Sequence, residues 1–67
     1  MDALQIDVDG ATIKLSKAEL GLVNNALNEV TNGVDIGEFE FQTRLGESRE
    51  DARRLLGEVG AIYREMG

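Results

Sequence analysis

The chain has no cysteine, no histidine, no proline and no tryptophan, and its aromatic residues are one tyrosine and two phenylalanines. Without cysteine there is no disulfide, and without cysteine or histidine a structural zinc site lacks its usual ligands. No apolar run approaches the roughly 20 residues needed to cross a bilayer. The first ten residues, MDALQIDVDG, lack the basic start and apolar stretch of a signal peptide, so cytoplasmic residence is expected. Asp7-Val8-Asp9-Gly10 opens like a calcium loop, but the twelfth position counted from Asp7 is Ala18 rather than a bidentate glutamate. The stretch GESRED has no lysine and too few glycines to cradle a phosphate. No metal and no cofactor are expected.

Catalysis finds little to work with. The hydroxyl residues Thr12, Ser16, Thr31, Thr43 and Ser48 have no partner base at a suggestive spacing, and an activated nucleophile needs one. Paired carboxylates occur at Glu38 with Glu40 and at Glu50 with Asp51. A general acid, however, needs an apolar enclosure to raise its pKa, which a chain this short can hardly supply. A non-enzymatic role is expected.

What the chain does have is an uneven charge. Eight carboxylates (Asp2, Asp7, Asp9, Glu19, Glu29, Asp35, Glu38 and Glu40) face only Lys14 and Lys17 in residues 1–40, which accounts for the whole net charge of −6. Beyond residue 40, Arg44, Arg49, Arg53, Arg54 and Arg64 balance Glu47, Glu50, Asp51, Glu58 and Glu65. With 42% hydrophobic and 30% charged residues, the composition is that of a folded chain rather than a disordered one. Its length fits one domain, residues 1–67, that buries only about 60% of its unfolded surface. Self-association is the support left to it.

LQIDVDGATIKL alternates apolar and polar residues about Asp9-Gly10, a strong signal for a two-residue hairpin turn. That turn would set Val8 opposite Ala11, Ile6 opposite Ile13 and Leu4 opposite Leu15, with all six on one face. A lone hairpin has two unpaired edges, and pairing them across a two-fold axis would make the chain a homodimer. Ser16 then reads as a helix N-cap with Glu19 closing a capping box and Leu15 stapled to Leu20. Leu20, Val23, Leu27 and Val30 follow as a core stripe. Gly33 is expected to end the helix in the left-handed conformation. Gly21, Asn24, Asn25 and Asn28 share another face, available to hydrogen-bond a partner.

Residues 34–41 allow two readings. As a strand they need a bulge at Gly37, giving a ββαβα order. As a helix they need no irregularity: Asp35 caps, Glu38 closes a box, Val34 staples to Phe39 and Gly46 stops the helix. The helix is the preferred reading. Ser48 caps the next helix, with Asp51 at its third position. That helix carries Ala52, Leu55, Leu56, Val59, Ile62, Tyr63 and Met66 as its apolar stripe. The fold expected is α+β: an N-terminal β-hairpin followed by a three-helix unit.

Phe41, Leu45, Gly46, Ser48, Ala52 and Leu55 resemble a helix-turn-helix motif, with core residues on both helices, glycine at the turn and serine capping the second helix. Gln42 and Ala52 depart from the usual small and branched residues. The resemblance implies a helix-turn-helix corner and a regulator that binds DNA as a dimer. On the last helix Arg49, Arg53, Gly57, Gly60 and Arg64 fall on one face. Glycine costs a helix interior about 0.8–1 kcal/mol relative to alanine, so Gly57 and Gly60 suggest a close neighbour. These five residues are the candidate partner or nucleic-acid contacts. Arg54 lies four residues from both Glu50 and Glu58, and an intrahelical pair is expected.

Affinity for DNA comes largely from cations displacing counterions at phosphates, and Glu47, Glu50 and Asp51 crowd the end of the helix that would enter the groove. An acidic surface suits a basic protein partner better. In composition the chain is similar to immunity or antitoxin proteins that block a basic toxin. The function expected is therefore protein binding, with DNA binding as the alternative.

Overall fold

The computed structural model describes all residues 1–67. Strands β1 (Asp2–Asp7) and β2 (Gly10–Lys14) form an antiparallel hairpin, followed by helices α1 (Lys17–Asn28), α2 (Glu38–Leu45) and α3 (Arg49–Glu65). The expected α+β order is therefore present. Residues 34–41 enter a helix and contain no third strand.

The hairpin turns one residue earlier than the Asp-Gly signal implies. Asp7 lies opposite Gly10, so Val8 and Asp9 make the turn, and the next pairs are Ile6 with Ala11 and Gln5 with Thr12. Asp7 is the reason: its carboxylate accepts the N–H groups of Asp9 and Gly10 at 2.9 and 3.0 Å. An aspartate at the first turn position favours an ordinary turn. Positive φ occurs only at Gly46 and Gly67, so the mirror-image turn that Asp-Gly favours is absent. A bulge between Ala3 and Gln5 then brings Ala3 opposite Ile13. The expected face of six is broken up, with Val8 in the turn, Leu4 in the bulge and Leu15 beyond the strand.

Helix α1 begins as read. The Ser16 side chain accepts the Glu19 N–H at 3.1 Å while Glu19 accepts the Ser16 N–H at 2.9 Å, the reciprocal capping box. Its far end differs. Instead of a left-handed glycine, the helix widens into a π-helical turn, Glu29–Gly33. Gly33 has a negative φ there, and the turn places Thr31 inside the molecule.

Helices α1 and α3 run antiparallel. Gly21 meets Tyr63 and Asn24 meets Gly60, while the Lys17 ammonium reaches the Gly67 carbonyl at 2.7 Å. A β-carbon on Gly21 would lie 2.9 Å from the Tyr63 hydroxyl oxygen, and one on Gly60 would lie 3.3 Å from the Asn24 side-chain oxygen. The two glycines thus set how closely the helices approach. This rotates the buried side of α3 from where its apolar stripe alone puts it. Leu56, Val59, Gly60 and Tyr63 turn inward, whereas Leu55, Ile62 and Met66 stay exposed.

The expected Asp35 cap does not form. Gly37 takes the N-cap position of α2 with no side-chain cap bond, and the Glu38 carboxylate turns to α3 instead, accepting the Arg49 N–H at 2.9 Å. Gly46 ends α2 as read, at φ 81°, donating its N–H to the Gln42 carbonyl at 2.8 Å. Ser48 caps α3 by accepting the Asp51 N–H at 3.1 Å. The only buried large hydrophobic side chains are Leu20 and Phe41, and of these Phe41 alone is fully enclosed, at 0% exposure.

Candidate interaction surface

Arg49 is where the helical end of the molecule is tied together. Its guanidinium donates to the Ile36 carbonyl at 2.6 Å and to the Thr31 and Val34 carbonyls at 3.4 Å each. Its Nε lies 3.7 Å from the Glu38 carboxylate, and its central carbon sits 4.7 Å from the centre of the Phe41 ring. A planar fork with five donors suits this work, spanning several carbonyls while stacking on an aromatic face. The side chain is 21% exposed. Of the five candidate contact residues, Arg49 is therefore committed to bonds inside the molecule.

The other four differ in exposure along the same helix. Gly60 is buried against α1, which is the close neighbour its cost called for. Gly57 faces open space. Arg53 and Arg64 are exposed and make no ion pair. Arg54 pairs with Asp51 at 3.3 Å, three residues away, rather than with Glu50 or Glu58. The asparagine face is divided as well: Gly21 and Asn24 lie between the helices, and Asn28 accepts a bond from the Asn32 side chain at 2.8 Å.

A feature that periodicity does not reveal lies beside Arg49. Leu27 from the end of α1, Val30 from the π-helical turn, Phe41 and Leu45 from α2, and Ala52 and Leu55 from α3 line an open apolar groove of about 300 Å³, with Glu47 and Asp51 also lining it. A smaller hollow of about 100 Å³ continues it over Val34, Ile36 and Arg44, sharing Val30, Phe41 and Leu45. Leu45 and Leu55, which the helix-turn-helix resemblance makes core residues, are about half exposed and form the walls. The groove stays open because the hairpin lies elsewhere: neither strand packs on any helix. The sequence signal for it was the surplus of apolar residues over what two packed helices can cover.

The hairpin carries the second uncovered surface. Leu4, Ile6, Val8 and Ile13 are all exposed, Ile6 at 75%. Asp7, Asp9 and Gly10 surround a polar hollow at its tip, where the Asp7 carboxylate is already engaged with its own turn. No family model, curated protein or solved structure matches the chain.

Proposed function

We propose that this chain is a small non-catalytic protein-binding module whose helical groove receives an amphipathic, basic segment of another protein. The observation that carries the reading is the groove itself, an apolar floor between three helices lined also by Glu47, which makes no ion pair, and by Asp51, which is paired with Arg54. A helix or strand that lays apolar side chains on such a floor fits a common mode of peptide recognition. Basic residues flanking those side chains would meet Glu47 and the net charge of −6, which steers association and excludes acidic partners. Arg53 and Arg64 supply the only unpaired guanidinium groups of α3 and would contact the polar edge of the partner. No helix is long and apolar enough to cross a membrane, and the reading places the protein in the cytoplasm as a homodimer. A basic target held by an acidic, non-catalytic chain is the relation of an immunity or antitoxin protein to its toxin.

DNA binding by a dimer, the helix-turn-helix alternative, draws less support. Arg49 is largely buried and already spends three donors on the Thr31, Val34 and Ile36 carbonyls, and Glu50 and Asp51 occupy the first turn of α3. A base-reading helix needs surplus positive charge there.

The test is an NMR titration of the labelled protein with a cationic amphipathic peptide and with its charge-reversed analogue. Shifts centred on Leu27, Val30, Leu45 and Leu55 with the cationic peptide, weakening with added salt and abolished by Leu55→Glu, are expected. Equal response to both peptides, or shifts indifferent to Leu55→Glu, would overturn the reading. Tight binding to duplex DNA at low salt would favour the alternative.

A further inference from the structure

Helix α3 carries a seven-residue repeat that its packing on α1 does not use up. Ala52, Val59 and Met66 recur at intervals of seven, and Leu55 and Ile62 follow the first two by three residues. This is the spacing of the a and d positions of a coiled coil. Leu56 and Tyr63, one position further on, turn inward to α1. The a and d columns therefore run beside the helix pair, and Leu55, Ile62 and Met66 are 48%, 54% and 42% exposed.

The facing wall has the same rhythm. Val23, Leu27 and Val30 follow one another by four and three residues, and Leu27 and Val30 share the groove with Ala52 and Leu55. The groove is thus the deep end of a longer apolar channel between α1 and α3, closed at that end by Phe41 and Leu45. From Ala52 to Met66 the channel runs about 21 Å at 1.5 Å per residue. Its far end is open, because neither strand packs on a helix.

A column of carboxylates borders the channel. Asp51, Glu58 and Glu65 repeat at the same interval of seven, each in the g position next to the a and d columns. Asp51 pairs with Arg54, whereas Glu58 and Glu65 make no ion pair. In coiled coils the e and g side chains meet those of the neighbouring helix and decide which neighbour is accepted. A second copy of α3 is the wrong neighbour. Antiparallel, it would set acidic g against acidic g. Parallel, it would need the e column, where Leu56 and Tyr63 already face α1. An extended strand fits no better, since its side chains repeat every two residues and not every three and four.

Resting on the proposed groove, we infer that its occupant is an α-helix of another protein with heptad-spaced apolar residues and lysine or arginine at its e and g positions. That helix lies along the whole channel and completes a three-helix bundle with α1 and α3. Its basic columns face Asp51, Glu58 and Glu65, and its apolar side chains cover Leu55 and Ile62.

The probe is a three-heptad peptide with leucine at a and d and lysine at e and g, whose lysines keep it from pairing with itself. Binding is followed by calorimetry, circular dichroism and NMR of the labelled protein. The peptide is expected to become helical on binding, with shifts running from Leu45 along α3 to Met66. Ile62→Glu, about 10 Å beyond Leu55 along the helix, is expected to weaken binding about tenfold or more. Glu58→Lys combined with Glu65→Lys should weaken it and flatten its salt dependence. All three positions are exposed, so the helical circular dichroism of the free variants should match the wild type. Shifts that stop at the groove, indifference to Ile62→Glu, or undiminished binding of a peptide with proline in its middle heptad would overturn the helical occupant and leave the groove reading in place. No shift at Leu27 or Leu55 with any cationic peptide would remove both.

Discussion

Thr31 and Arg49 show how much of this small protein depends on single side chains. Thr31 is 1% exposed and its hydroxyl has no hydrogen-bond partner, while its carbonyl serves Arg49. A buried, unsatisfied hydroxyl is a cost that an apolar group of the same shape avoids. Thr31→Val is therefore expected to raise the stability measured by urea unfolding by about 1 kcal/mol. Arg49→Lys should do the opposite and lose about 2 kcal/mol. An ammonium keeps the charge but cannot span the Ile36, Val34 and Thr31 carbonyls while lying on Phe41. If Arg49→Lys were as stable as the wild type, the guanidinium would not be what joins residues 31–36 to α3.

The helices differ in what their glycines and caps are for. Gly57 faces solvent on α3 with nothing near enough to exclude a methyl group, whereas Gly21 on α1 lies under the Tyr63 hydroxyl at 2.9 Å. Gly57→Ala should stabilise α3 by about 0.8–1 kcal/mol, the propensity difference alone. Gly21→Ala should destabilise, because the helix pair must open to accept it, and unfolding curves of the two variants will move in opposite directions. At the start of α1, the Glu19 carboxyl is held down to about 2, first by the Met1 ammonium and then by the Ser16 N–H, from an ordinary value of 4.5. A folded-state pKa below the unfolded one stabilises the fold above the unfolded value. That contribution is complete above pH 4.5 and disappears as the pH falls towards 2. Acid titration should show Glu19→Gln with a flatter loss of stability in this window than the wild type, and parallel curves would show that the cap does not couple to folding.

The molecule as a whole is flat and extended for its length. Its extents are 35 × 32 × 15 Å and its radius of gyration is 13.3 Å, against about 11 Å for a compact domain of this size. The hairpin and the helical unit thus have separate grounds for stability. Amide exchange should report this directly: protection at Leu20 and Leu56 follows the helix pair, while protection at Ile6 and Ile13 should rise with protein concentration as the hairpins find partners. Hairpin amides protected as strongly as Leu20 in dilute solution would contradict it.

Reading the chain in order recovers what neighbours along it decide. The capping box at Ser16, the Ser48 cap, the Gly46 stop and the existence of a hairpin all rest on bonds between residues a few positions apart, so they are visible as local patterns. The early turn was also within reach, since Asp7 acts only two and three residues away, but the Asp-Gly pair is the louder signal. Arg49, by contrast, looks like one of a row of surface arginines until residues 31–38 are folded back onto it. The inward turn of Gly60, the exposure of Leu55 and the open groove depend on how α1 and α3 meet, Gly21 against Tyr63 and Gly60 against Asn24. Backbone hydrogen bonding at helix ends and turns is short-range and leaves its mark in spacing. Packing joins residues far apart in the chain, and which apolar side chains remain uncovered becomes definite only when the elements take their places in space.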